Sequence, residues 1–366
     1  MRDDRVKKFA DLIVDYCMEI NKEDNVLINT TTIALPLIKA VYKKCLEVGA
    51  HPYTDIILEG LSDMDIKYGS DEFLNSVSPY LMTEANKNNK RLFISAPYNT
   101  AGDATLDKAK QSMKQKSNSI LRNIRNEREE QGDYSWLITA YPCYASAQDA
   151  KMSLEQYEDY ISKALRIDSE DAVEAWLNAK KRQQEIIDYL KNKGEIKIKS
   201  SNAELTLNVN GRTCVNACGT RNMPDGEVFT APLENSTKGW IVYNYPYTLY
   251  GQEVKNIRFE YQDGKVVKYE AEEGLDAVRT MLNLDEGMKY IGEFAFGTNY
   301  EINRFIRNGL FDEKRGGTMH IANGATLPGT GGKNHGSVHW DNITEILDGE
   351  VSADGEVFYR NGEFLI

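Results

Sequence analysis

Apolar positions in the first half of the chain recur alternately at helical and at strand spacing. Val6, Phe9, Leu12, Ile13, Tyr16, Cys17 and Ile20 fall along one helical face, and the short run Asn25 to Asn29 (NVLIN) follows as a strand. A helix over about Ala34 to Val48 ends at Gly49, a residue suited to a left-handed cap, before a strand near Tyr53 to Leu58. The alternation continues with a helix from about Asp71 to Ala85 and a strand at Arg91 to Ser95. A long polar helix from Asp107 to about Arg128 and a strand at Trp136 to Tyr141 complete it. Such alternation predicts a largely parallel sheet flanked by helices.

Ser153 followed by Gln156 reads as a capping box, and Ala172 to Lys191 continues helical up to Gly194. There the period changes to that of strands: EIKIK, ELTLNV, WIVYNY and VKNIRFEY, then Asp263-Gly264 as a hairpin turn before KVVKYE. A single helix, about Leu275 to Leu284, interrupts this half. The expected fold class is therefore an α/β N-terminal domain (1–194) with a largely parallel sheet, plus an α+β C-terminal domain (195–366). No internal repeat or low-complexity tract modifies that reading.

Composition narrows the function. The net charge of −12 argues against a partner built of phosphates, so nucleic acid is not expected. No run is apolar for long enough to span a membrane, and the N-terminal residues are charged where a signal peptide would be apolar, so a cytoplasmic protein is expected. Five scattered cysteines, Cys17, Cys45, Cys143, Cys214 and Cys218, do not form a disulfide framework. Cys214 and Cys218 lack a second Cys/His pair nearby to complete a zinc site, and they read as small apolar residues.

The chemistry concentrates near the C-terminus, where three of the four histidines, His320, His335 and His339, lie among carboxylates. Imidazole and carboxylate together suit a divalent metal. In SVHWDNI, His339 and Asp341 are two apart and share one face of a strand, while Val338 and Trp340 take the other. GTMHIA places Thr318, His320 and Ala322 on a common face. IGEFAFGTN sets Glu293 opposite Phe294 and Phe296, and NMPDGEVFTAP presents Glu227 after a turn at Asp225-Gly226. One such residue alone is more often solvated or hydrogen-bonded in a core, but four such strands in one domain call for a compensating cation. The Gly-rich stretch PGTGGKNHG lacks the spacing and following helix of a phosphate loop, despite Lys333. It reads as a flexible loop at the site entrance, with His335 facing solvent.

The segments NMPDGEVFTAP, GEFAFGTN, DEKRGGTMHIANG and GGKNHGSVHWD, in that order, resemble the thermophilic-type metalloaminopeptidase family that includes aminopeptidases T and S. The resemblance extends more weakly upstream, through AYPCYASAQDAKMSLEQYEDYISKAL and VLINTTTIALPLIKAVYKKCLEVGAHPY, and so covers nearly the whole chain. It implies that Glu227, Glu293, His320, His339 and Asp341 are metal ligands, and that Glu313 is a further ligand or an acid-base group. It also implies two divalent ions (zinc, cobalt, manganese or magnesium), release of N-terminal residues from peptides, and a homodimer. Glu293 is the first candidate to bridge two ions and Asp341 the second.

There is one departure: the family pattern has a tyrosine close to the site after the His320 segment, here HIANGATLPG has Leu327 near that place, and a leucine cannot donate a hydrogen bond to a developing oxyanion. Tyr300 or a backbone amide is the expected substitute. The alternatives are another two-metal hydrolase, acting on small amides or phosphoesters, and a catalytically impaired metal-binding homologue.

Overall fold

The computed structural model describes residues Met1 to Ile366, leaving aside the side chains of Asp103 and Ala104. It divides into two compact units, one of residues 1–173 with 219–223, the other of residues 174–218 with 224–366. The division thus precedes the change of period at Gly194. The helix Ala172–Leu190, which the sequence groups with the first half, contributes most of its length to the second unit. Its buried Ile186 and Leu190 pack in the core of that unit, and this contact is invisible to local periodicity.

The first unit holds a five-stranded parallel sheet in the order His51–Ile57, Asn25–Thr31, Lys90–Ser95, Ser135–Ala140, Asn222–Met223. Val26, Ile28, Leu92, Ile94 and Leu137 are fully buried along one face of it, while the alternate positions of Lys90–Ser95 are half-buried. The capping box at Ser153 and Gln156 forms in both directions. Two expected helices are each broken in two. Asp71–Leu74 and Pro79–Lys87 are separate because Pro79 can begin a helix but not continue one, and Lys108–Ser117 gives way to Ser119–Glu130 at Asn118.

The second unit is antiparallel, with one eight-stranded, one five-stranded and one two-stranded sheet, the last made of Tyr247–Leu249 and Gln252–Val254. Asp263 and Gly264 both take positive φ, +50° and +81°, in the hairpin between Ile257–Gln262 and Lys265–Glu270. The five-stranded sheet runs His339–Glu345, Thr318–Gly324, Ile291–Gly297, Glu227–Thr230, Val215–Ala217. On one face Val228, Phe294, Phe296, Met319, Ile321 and Trp340 join the unit's apolar core. The other face carries the candidate ligands.

Candidate metal centre

Register brings the polar side chains together. Glu293 pairs with Ala322, which in turn pairs with Asp341, and His320 pairs with Ala295. Strand alternation places all of them on the face opposite the core. Ala295 and Ala322 are the smallest side chains of that face, so the longer Glu293, His320 and Asp341 can lean over them toward one another. Glu227 enters from the next strand, opposite Gly297. Gly226 before it takes φ +120°, a region that side-chain-bearing residues avoid, and its carbonyl accepts from Thr298. Gln183, 1% exposed on the helix Ala172–Leu190, donates to the backbone carbonyls of Glu227 and Ala217 and to the Asn216 side chain.

The distances define a compact cluster. His320 Nε2 lies 3.1 Å from Glu293 Oε1 and 3.3 Å from Glu227 Oε2, while His339 Nε2 lies 3.3 Å from both Glu293 Oε2 and Asp341 Oδ1. His339 donates from Nδ1 to the Ala325 carbonyl, at 2.6 Å, which turns Nε2 toward the carboxylates. His320 has no such partner at Nδ1. The sequence-derived residues therefore all meet. Three overlapping donor groups result, Glu227–Glu293–His320, Glu293–His339–Asp341 and Glu313–His320–Asp341, each with its ligand atoms within 4.8 Å of one another.

These residues fit a cation. Glu227 Oε2, Glu293 Oε2 and Asp341 Oδ1 are buried and complete no hydrogen bond, although each is 3.3 Å from an imidazole nitrogen. Orphaned buried carboxylate oxygens are costly. Ligand atoms held about 2.0–2.2 Å from one ion lie about 3 Å or slightly more from each other, which is the spacing of the four imidazole–carboxylate pairs.

The charges are strongly perturbed. Burial pushes the Glu227 carboxyl up to about 8, against the lowering pull of Lys314 and His320. His320 is raised to about 9 and His339 to about 11, in both cases because their carboxylate partners outweigh the opposing effect of burial. Asp341 is lowered to about 2, its imidazole neighbours, His339 first, overcoming burial.

Sequence reasoning missed Lys314. Its side chain is 3% exposed, and Nζ lies 2.6 Å from Glu227 Oε1 and 2.8 Å from Glu313 Oε1. A lysine in a charged turn gives no periodic signal of burial, so only the fold reveals it. Gln183 was missed for a similar reason, being one polar residue on a polar helix.

The structure also places the remaining residues that the sequence singles out. The Gly-rich loop is hydrogen-bonded to its surroundings at several points. Arg212 donates to Gly331 O and to both oxygens of Glu234, which also accepts from Lys333 N. Asn334 Nδ2 donates to the carbonyls of Gly287 and Gly324. His335 is exposed. Tyr300 donates its hydroxyl to Gly362 O, at 2.8 Å, and so is engaged elsewhere, while Leu327 is half-buried in the loop. Cys214 and Cys218 belong to none of the donor groups found among the described residues.

Residues 2–364 match the family model described as thermophilic metalloprotease (M29). Among curated proteins, the chain is 25% identical to Aminopeptidase 2 of Geobacillus stearothermophilus over 357 residues, covering 88% of this chain and 83% of that one. It is 24% identical to Aminopeptidase T of Thermus thermophilus over 317 residues, 79% and 76% of the two chains. The solved structure of wild-type AmpT from Thermus thermophilus superposes with a TM-score of 0.87 over 99% of each chain. At 20% identity that likeness speaks to the fold.

Proposed function

The chain belongs to the thermophilic metalloprotease (M29) family, and from that premise we propose that it is an aminopeptidase working with two divalent ions held by Glu227, Glu293, His320, His339 and Asp341. The observation that carries this reading is the convergence of those five side chains with three orphaned carboxylate oxygens among them. Glu293 belongs to two of the three donor groups and turns a different oxygen toward each imidazole, which favours it as the bridging ligand. Ions at these positions supply a Lewis acid for the scissile carbonyl and lower the pKa of water, and the mixed ligand set accommodates zinc, cobalt, manganese or magnesium.

The chain's own groups do the rest. Glu313, half-buried beside the cluster, takes the proton from the attacking water and returns it to the departing amine. The carboxylates attract the free ammonium at a peptide's N-terminus, which directs cleavage to the first residue. This reading has the protein acting on peptides in the cytoplasm as a homodimer. Its five cysteines, none in a disulfide among the described residues, support a reducing compartment, and none of the described helices is long and apolar enough to cross a membrane.

The test combines metal analysis of purified protein with a screen of aminoacyl-p-nitroanilides and of phosphoesters. Activity is expected on the anilides alone, lost on chelation and restored by cobalt, manganese or zinc. Full activity after verified metal removal overturns the reading, and turnover confined to phosphoesters replaces it with a different hydrolase.

A further inference from the structure

Lys314 sits where a positive charge competes with metal. Lysine is seldom fully buried unless paired. Here its ammonium is enclosed between Glu227 Oε1 and Glu313 Oε1, at 2.6 and 2.8 Å, with the side chain 3% exposed. Glu227 is thereby shared. Its Oε1 is committed to the ammonium, and its Oε2 faces His320 without completing a hydrogen bond. Glu313 is engaged by the same ammonium, although it also belongs to a donor group with His320 and Asp341. By contrast, no lysine or arginine ion pair reaches Glu293 or Asp341 among the described residues.

We propose that Lys314 is a resident cation of the cluster, a positioning residue that makes its metal positions unequal. The Glu293–His339–Asp341 group binds a divalent ion tightly. The group containing Glu227 binds one more weakly, because the nearby ammonium repels a dication and draws on the same carboxylate. The group containing Glu313 is served by the ammonium and takes no ion. This rests on the metal-dependent reading above but goes beyond it, since the ligand set alone predicts nothing about order or number of ions.

The test is a calorimetric titration of the metal-free full chain with zinc or manganese, comparing wild type with Lys314→Met, which keeps the length of the side chain without its charge. The wild type should bind in two steps separated by about 10-fold or more in affinity. Lys314→Met should tighten the weaker step by about 10-fold or more, or take up an additional ion, and leave the stronger step near its wild-type value. Circular dichroism checks that the variant is folded, with Lys314→Gln as the second variant. A folded variant whose weaker step is unchanged or weakened, with only its melting temperature lowered, makes the lysine a structural counter-charge and overturns the proposal. Should neither variant fold, two equal steps in the wild type overturn it as well. Wild-type protein that binds no divalent ion sinks the metal-dependent reading itself, and this inference with it.

Discussion

Each oxygen of Glu293 faces a different imidazole, so removing its charge disturbs both halves of the cluster at once. Glu293→Gln should therefore lose at least one bound ion per subunit and nearly all turnover. Glu313→Gln should keep its ions and reduce kcat by about 10² to 10⁴-fold, as loss of an acid-base group does. Metal content and kcat measured under identical metal supply check both, and near-normal kcat with full metal in Glu293→Gln would place the bridge elsewhere. The histidines supply a pH prediction. An imidazole must lose its proton to bind metal, and carboxylate neighbours raise His320 to about 9 and His339 to about 11. At neutral pH protons thus compete with the ion, so metal affinity should rise between pH 6 and pH 8 with proton release on binding. Calorimetry in buffers of different ionisation enthalpy measures that release, and a pH-independent affinity contradicts the assignment. The clustering of these side chains was legible because strand alternation converts spacing in sequence into a shared face, as with His339 and Asp341. Lys314 was not, because nothing local in DEKRGG distinguishes a buried ammonium from a solvated one.

At the level of elements, the site depends on backbone held by groups that do no chemistry. Gln183 ties the helix Ala172–Leu190 to two strands, by one hydrogen bond to the strand bearing Glu227 and two to the neighbouring strand Val215–Ala217. Gln183→Leu deprives the buried Glu227 carbonyl and two half-buried acceptors of this donor, so it should destabilise the protein by about 1–3 kcal/mol and weaken metal binding, readable by denaturant unfolding and by metal titration. Gly297 is similarly constrained. A Cβ there would meet the Arg315 carbonyl, with Lys314 backbone next to it, so Gly297→Ala must push the two segments apart. The expected cost is about 1–3 kcal/mol in thermal or denaturant unfolding, and an unchanged stability would show that the strand yields freely. Strands were readable from the sequence to within a few residues, since period-two patterning and Asp263-Gly264 are strong local signals. The breaks at Pro79 and Asn118 were less so, because the apolar pattern runs on through both while the backbone does not.

For the molecule as a whole, the cysteine thiols give a simple check. No disulfide joins the five cysteines among the described residues, and Cys17, Cys45, Cys143 and Cys218 are buried. Thiol titration of denatured protein should count five without prior reduction, and reductant should leave the melting temperature unchanged provided metal is held constant. A lower count would mean a disulfide that the fold does not contain. The division into two units was only partly legible, since the return of residues 219–223 to the first unit is a long-range pairing with no signal in local composition. That excursion has a consequence for how the chain is made. The Ile138 amide donates to Arg221 O, at 2.8 Å, and Thr139 donates its hydroxyl to Met223 O, at 2.5 Å. During synthesis the parallel sheet must therefore wait, with an open edge at Ser135–Ala140, until some eighty further residues have left the ribosome. A stalled nascent chain ending before Gly219 should exchange its Ile138 amide hydrogen quickly, and one extended well beyond Met223 should protect it. Between those two lengths a chaperone that recognises exposed strand edges has its opportunity to bind.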